Sequence, residues 1–181
     1  MIPSPGLHLA INACAAAAVA TLFGVSLAQV GISLSKFSPV QMRSELLVSR
    51  SGIKIVNDAY NANPISTRAA IDLLKDIACN GKRVVILGDM LELGSTERES
   101  HEKILSYCWD ACIDLIGLVG DRFRAAAENM NLIKTDYIVV TNDAEILSQK
   151  IVKRLKSNDV VLVKGSRAMQ MEKVVDVIKA M

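Results

Sequence analysis

Five short segments of this 181-residue chain bring together side chains able to bind anions, accept hydrogen bonds from hydroxyls or carry protons. The densest is Asn57-Asp58-Ala59-Tyr60-Asn61-Ala62-Asn63-Pro64. Its Asx residues could satisfy a turn backbone and cap a helix. Alternatively, Asp58 could accept hydrogen bonds from ribose-like hydroxyls while the following helix start favours a nearby anion. The second is Gly88-Asp89-Met90-Leu91-Glu92-Leu93-Gly94 with His101 beyond it. Two glycines there allow backbone to approach a ligand, although an ordinary strand-to-helix loop has the same look. The third, Lys164-Gly165-Ser166-Arg167, suits a carboxylate or phosphate, or else a solvated capping turn. The last two are Gly6-Leu7-His8 with Asn12, and Arg43 in Gln41-Met42-Arg43-Ser44-Glu45.

The elements that must hold these segments follow from hydrophobic periodicity. Residues 8–23 predict an Ala-rich helix stopped by Gly24, and residues 26–35 a second one with Leu27, Val30 and Leu34 at helical spacing. Ser38-Pro39 then interrupts, and a boundary is expected near residues 36–42, giving domains at 1–37 and 38–181. Beyond it Glu45–Ser49 and Ile53–Asp58 predict a hairpin across Ser51-Gly52. Helix 65–77, strand Val84–Leu87, helix Thr96–Trp109 and strand Ile113–Val119 come next, followed by helix 121–129, strand Tyr137–Val140, helix Asp143–Leu155, strand Val160–Val163 and helix Ala168–Ala180. Continuous Val/Ile/Leu runs predict strands covered on both faces. The alternation predicts an α/β fold with a Rossmann-like, mostly parallel sheet and helices on both faces, preceded by a helical remnant of another domain. Ligands of such sheets bind beyond the carboxyl ends of the strands, where the segments at 58–64, 88–94, 120–122 and 164–167 fall.

Composition excludes several classes. A net charge of +2 and 4% aromatic residues give neither the basic field nor the stacking platforms of a nucleic-acid binder. Cys14, Cys79, Cys108 and Cys112 sit in helix and strand patterns and are expected to be free thiols. His101, Cys108 and Cys112 would share a helix face but lack a fourth ligand, so buried apolar residues are the better account and no metal site is expected. The first 35 residues carry no Lys, Arg, Asp or Glu. They lack the basic start of a signal peptide, and Asn12, Thr21, Ser26 and Gln29 make them a poor membrane span, so a helix packed inside something larger is expected. No Gly-x-x-x-x-Gly-Lys-[Ser/Thr] loop, GxGxxG, Gly-x-Ser-x-Gly or HExxH motif occurs.

Taken together, these segments resemble the Mur ligase family. The residues that carry the likeness are Gly6-x-His8-x-x-x-Asn12, Arg43-x-Glu45, Asp58-x-Tyr60-Asn61-Ala62-Asn63-Pro64, Leu87-Gly88-Asp89-Met90-x-Glu92-Leu93-Gly94 with His101, and Val163-Lys164-Gly165-Ser166-Arg167. The chain departs from the pattern at Leu9, where many members carry Asn. The resemblance implies an ATP-dependent, ADP-forming amide ligase that activates a carboxylate as an acyl phosphate for attack by an amine. Members have a UDP-substrate domain, a central P-loop ATPase domain and a Rossmann-like C-terminal domain, and this chain is similar to the tail of the second plus the third.

By the same likeness His8, Asn12, Arg43, Asp58, Tyr60 and Asn61 would meet ATP, with Mg2+ ligands mainly in the domain upstream. Arg43 and Lys164 would take catalytic parts. Asn61, Asn63, Asp89, Met90, Glu92, His101, Lys164, Ser166 and Arg167 would bind the acceptor, D-alanyl-D-alanine, which is joined to a UDP-muramoyl-tripeptide in peptidoglycan synthesis. A bacterial cytoplasm is the implied compartment, or a plastid stroma for a plant relative. By itself the chain is expected to be inactive. A non-catalytic binding or regulatory fragment and a related folate-glutamate ligase are the alternatives.

Overall fold

The computed structural model describes residues 7–38 and 40–181, with side chains from Leu9 onward. The chain divides into two compact units, Met1–Val40 and Gln41–Met181. The first contains α1 (Leu7–Leu22) and α2 (Leu27–Ser35). Gly24, at φ +83°, takes a left-handed turn that ends α1 at low cost, and the Ser26 side chain caps α2 by accepting from the Gln29 amide. Ile11, Val19, Leu22, Phe23 and Ile32 are all exposed. No helix among the described residues is long and apolar enough to cross a membrane.

The second unit holds β1 (Glu45–Val48), β2 (Lys54–Asp58), α3 (Pro64–Asp76), β3 (Arg83–Gly88), α4 (Glu97–Asp110), β4 (Leu115–Val119), α5 (Asp121–Asn129), β5 (Ile138–Thr141), α6 (Ala144–Ile151), β6 (Val160–Lys164) and α7 (Glu172–Ala180). They form one six-stranded sheet in the order β1-β2-β6-β3-β4-β5. β1 is antiparallel to β2, as the hairpin pattern predicts, and the other pairings are parallel. Successive strand side chains point to opposite faces, so each apolar run feeds two cores. Val85, Leu87, Leu118 and Leu162 pack with α3, α4 and α5, whereas Val84, Ile86, Val161 and Val163 pack with α6 and α7. This is the predicted sheet with helices on both faces.

Of the predicted boundaries that move, two do so for a clear backbone reason. The last helix begins at Glu172, not Ala168: Arg167–Met169 forms a 3-10 turn and Gln170 is left-handed at φ 50°, which a right-handed helix cannot pass through. β4 begins at Leu115, not Ile113. Cys112 sits left-handed at φ 52° just past α4, and the Ile113 amide closes back on the Cys108 carbonyl at 3.2 Å. Cys112 is therefore outside the helix and exposed, while Cys108 is buried, which undoes the expected common face with His101.

Burial pushes the Cys108 thiol up to about 12, because the apolar core disfavours the thiolate. A raised folded-state value leaves stability intact below the ordinary thiol range. Stability is then lost as pH climbs through the window between the ordinary value and about 12, where the unfolded chain ionises first. Chemical denaturation across that window should show a loss that Cys108→Ala abolishes. An unchanged pH slope in that variant would assign the loss to other groups.

Candidate functional site

The parallel sheet places the carboxyl ends of β2, β6 and β3 side by side. Asp58 is in register with Lys164, and Lys164 with Leu87. The chain leaves β2 and β3 toward helices of one face and leaves β6 toward α7 on the other. Neighbouring strands whose connections part in this way open a crevice at their carboxyl ends.

At its centre lies Lys164, with a side chain only 3% exposed. A buried ammonium demands partners. It finds the Asp58 carboxylate at 2.5 Å and the Asn61 carbonyl at 2.8 Å. The other Asp58 oxygen accepts from the Ser44 amide at 2.9 Å. Lys164, expected as a catalytic group, thus points into the protein and ties β6 to the turn after β2. Asp58 is 14% exposed, and a carboxylate can accept about four hydrogen bonds, so it retains capacity for a hydroxyl.

The 58–64 turn realises the capping reading expected of its Asx residues. Asn63 is the N-cap of α3, in a reciprocal capping box with Ser66: its side chain accepts from the Ser66 amide at 2.8 Å and its own amide donates to Ser66 Oγ at 3.2 Å. The helix-cap alternative therefore accounts for the Asn63 side chain. Asn61 Oδ1 accepts from the Ala62 amide at 2.9 Å and Asn61 is exposed. Tyr60 is exposed too, with the Arg43 guanidinium 4.1 Å above its ring centroid.

The 88–94 loop is held from beneath. His101 is fully buried; its Nε2 accepts from the Met90 amide at 3.0 Å. Nδ1 must then carry the proton and donate to the Glu97 carbonyl, 2.7 Å away. His101 also meets Phe123 edge-on at 4.5 Å. Asp89 is buried and accepts from the Arg122 and Phe123 amides at 3.1 and 2.9 Å, capping α5 from another loop. Gly120 starts that helix at φ +115°, and a Cβ there would meet Asp89 Oδ2 at 2.3 Å. Met90 is fully buried among the α3–α5 core residues, so its side chain is core and not lining. Ser166 joins the second loop to the third: its Oγ accepts from the Leu91 amide at 2.8 Å and its amide donates to the Asp89 carbonyl at 3.1 Å.

Asp89, Met90, His101, Lys164 and Ser166, all expected to touch ligand, are thus buried supports. Arg43, Tyr60, Asn61, Asn63, Glu92 and Arg167 are exposed members. Arg167 pairs with Glu172 at 2.8 Å, and Glu92 is left-handed at φ 63°. Asn12 is exposed on α1 of the first unit. The His8 side chain and Gly6 lie outside the described residues. Ser44, Asn57 and Gly165 stand inside the singled-out segments without an expected part of their own: the Ser44 amide donates to Asp58, Asn57 Nδ2 donates to Glu45 Oε2 at 2.9 Å, and Gly165 packs against Gly88. The adjacency of Asn57 to Asp58 was the available signal for one of them. Among the described residues no group of three or more His, Cys, Asp or Glu side chains is placed to hold a metal ion.

A profile of the Mur ligase, glutamate ligase domain matches residues 42–167, the span that carries all three strand ends. The chain belongs to the Mur ligase family. Within that family it is 34% identical over 175 residues to the UDP-N-acetylmuramoyl-tripeptide–D-alanyl-D-alanine ligase of Bacillus subtilis, across 96% of this chain and 38% of that ligase. Among solved structures, the MurF ligase of Thermotoga maritima in complex with ADP superposes with a TM-score of 0.80 at 25% identity, covering 97% of this chain and 39% of that one. A MurF of Acinetobacter baumannii gives 0.83 at 29% identity, covering 98% and 39%. The chain spans well under half the length of the Mur ligases it matches.

Removing one member of a buried ion pair strands the other charge and costs about 3–5 kcal/mol, whereas removing both costs much less. Lys164→Met should therefore destabilise the chain strongly in urea unfolding, and Asp58→Asn with Lys164→Met should recover most of the loss. A double variant no more stable than the single one would show that the two residues are not one energetic unit.

Proposed function

We propose that this chain forms the acceptor-side wall of an ATP-dependent amide ligase that joins D-alanyl-D-alanine to a UDP-muramoyl-tripeptide in peptidoglycan synthesis. The carrying observation is the crevice at the ends of β2, β6 and β3. It presents Arg43, Tyr60, Asn61 and Arg167 to solvent while their supports are buried. The names of the relatives supply the reaction class. We assign residues 1–37 to the end of a central ATPase domain and residues 38–181 to the C-terminal domain. The charge-free apolar surface of α1 supports that division.

The residues present fit a nucleotide. Arg43 is exposed, and among the described residues it has no carboxylate within salt-bridge distance, so its charge is available to phosphate oxygens. Asp58 keeps acceptor capacity toward a ribose hydroxyl. ATP would supply the phosphoryl group that turns the tripeptide carboxylate into an acyl phosphate. The attacking dipeptide amine then forms the C–N bond, the acyl C–O bond breaks, phosphate leaves and the amine gives up a proton. Mg2+ would be held mainly by the upstream domain, as the likeness to the family implies. Such chemistry is mostly positioning and charge neutralisation. Here Arg43 neutralises and Lys164 positions, while Asn61 and Arg167 offer a side-chain amide and a guanidinium to the dipeptide carboxylate. The compartment that fits these substrates is a bacterial cytoplasm, in line with bacterial relatives that give no support to a plastid.

ADP release should be undetectable with the chain alone. It should appear, dependent on D-alanyl-D-alanine, when the chain replaces the matching C-terminal part of the Bacillus subtilis relative. Asp58→Ala should lower that rate roughly a hundredfold, since misplacing a reacting group by about an ångström costs that much. Turnover by the isolated chain, or ligation of glutamate in place of the dipeptide, would sink this reading.

A further inference from the structure

Arg43 stands apart from the other basic side chains of the crevice. Arg122 pairs with Glu97 at 2.6 Å, Arg167 with Glu172 and Lys164 with Asp58. Arg43 instead sits over a tyrosine ring, its Cζ 4.1 Å from the centroid, and is exposed. The backbone that presents it is strained. Met42 and Ser44, on either side, are both left-handed at φ 63° and φ 50°. Non-glycine residues keep such angles only where their surroundings enforce them.

Three hydrogen bonds enforce these. The Met42 amide donates to Glu45 Oε2 at 3.2 Å, the Tyr60 amide donates to the Met42 carbonyl at 3.2 Å, and the Ser44 amide donates to Asp58 Oδ1 at 2.9 Å. Glu45 Oε2 is itself fixed by Asn57 Nδ2 at 2.9 Å. Two carboxylates thus lie within two residues or one hydrogen bond of the arginine's backbone without pairing with its guanidinium. Glu45 Oε2 is engaged by the Met42 amide and Asn57 Nδ2, and Asp58 by the Ser44 amide and the Lys164 ammonium, and the positive charge of Arg43 stays available.

We propose that Glu45 is a positioning residue for Arg43. By clamping the Met42 amide it holds the strained 42–44 turn in register with the 58–61 turn, and so keeps the guanidinium stacked on Tyr60 with one edge preset for an in-plane, bidentate phosphate contact. This deepens the assignment of Arg43 to the nucleotide phosphates and rests on it. The ligand class is a polyphosphate. Tyr60 acts as a platform, which needs an aromatic ring and not a hydroxyl. Asp58 and Lys164 brace the other end of the same turn.

Side-chain NMR of the full chain tests this. The δ-methylene protons of Arg43 should be shifted upfield by the Tyr60 ring current. Tripolyphosphate should perturb the Arg43 guanidinium and the Met42 and Ser44 amides. Glu45→Ala and Glu45→Met, which remove both acceptor oxygens, should abolish the upfield shift. They should also weaken tripolyphosphate binding about tenfold, the loss expected when hydrogen bonds to a charged group are removed. Glu45→Gln keeps an acceptor and should restore both. Tyr60→Phe should keep the shift, and Tyr60→Leu should lose it. Retention of the shift in folded Glu45→Ala or Glu45→Met would overturn the proposal. A shift that follows Glu45 while tripolyphosphate leaves wild-type Arg43 unmoved would uphold the positioning and instead overturn the phosphate reading.

Discussion

An ammonium group that is 3% exposed must be matched, and among the described residues Asp58, on the adjoining strand, supplies the matching charge at the carboxyl end of β6. The match is possible because β6 is inserted between β2 and β3 and is parallel to both. Sliding β2 by one residue against β6 would turn the Asp58 side chain to the other face of the sheet. The pair therefore constrains register as well as charge. From it the site spreads outward: Lys164 also holds the Asn61 carbonyl, and Asp58 also holds the Ser44 amide. One buried contact thereby connects the segments that present Tyr60, Asn61 and Arg43.

The middle loop rests on separate supports. His101 reaches up from α4 to the Met90 amide, and Asp89 reaches sideways to the amides that open α5. Gly88 and Gly165 lie so close that a Cβ on Gly165 would meet the Gly88 Cα at 3.0 Å and Met171 Cγ at 2.6 Å. That approach lets Ser166 tie the third loop to the second. The result is a division of labour. Buried polar groups fix the loops, and exposed polar groups face the crevice. The rigid part is satisfied internally, as buried polar groups must be, and the exposed part is left for ligand.

Much of this was legible in the chain before folding was considered. Four near-continuous Val/Ile/Leu runs separated by helical stretches pointed to a parallel sheet covered on both faces, and the Ser51-Gly52 turn to an antiparallel hairpin. The three loops at the carboxyl edge followed from the order of elements. Less legible was which polar residue faces solvent. Met90 and Glu92, two residues apart in one glycine-framed loop, came out fully buried and exposed. His101 and Asp89 looked like ligand-binding groups and proved to be internal braces, because their partners are backbone amides that no side-chain pattern reveals.

By itself, the amino-acid sequence determined the element types, their alternation, the expectation that an Asx residue of the 57–64 turn caps a helix, and the likeness to the Mur ligase family. These depend on residues within a few positions of one another, where periodicity and turn chemistry operate. Tertiary structure alone decided that Asp58 and Lys164, 106 residues apart, form one pair, and that Lys164 braces the crevice from within. It likewise decided that Arg43 rides on Tyr60 in a strained turn clamped by Glu45. Burial and strand register are properties of distant segments brought together. A long-range pairing is set by the shape of the whole sheet, and no local pattern encodes it.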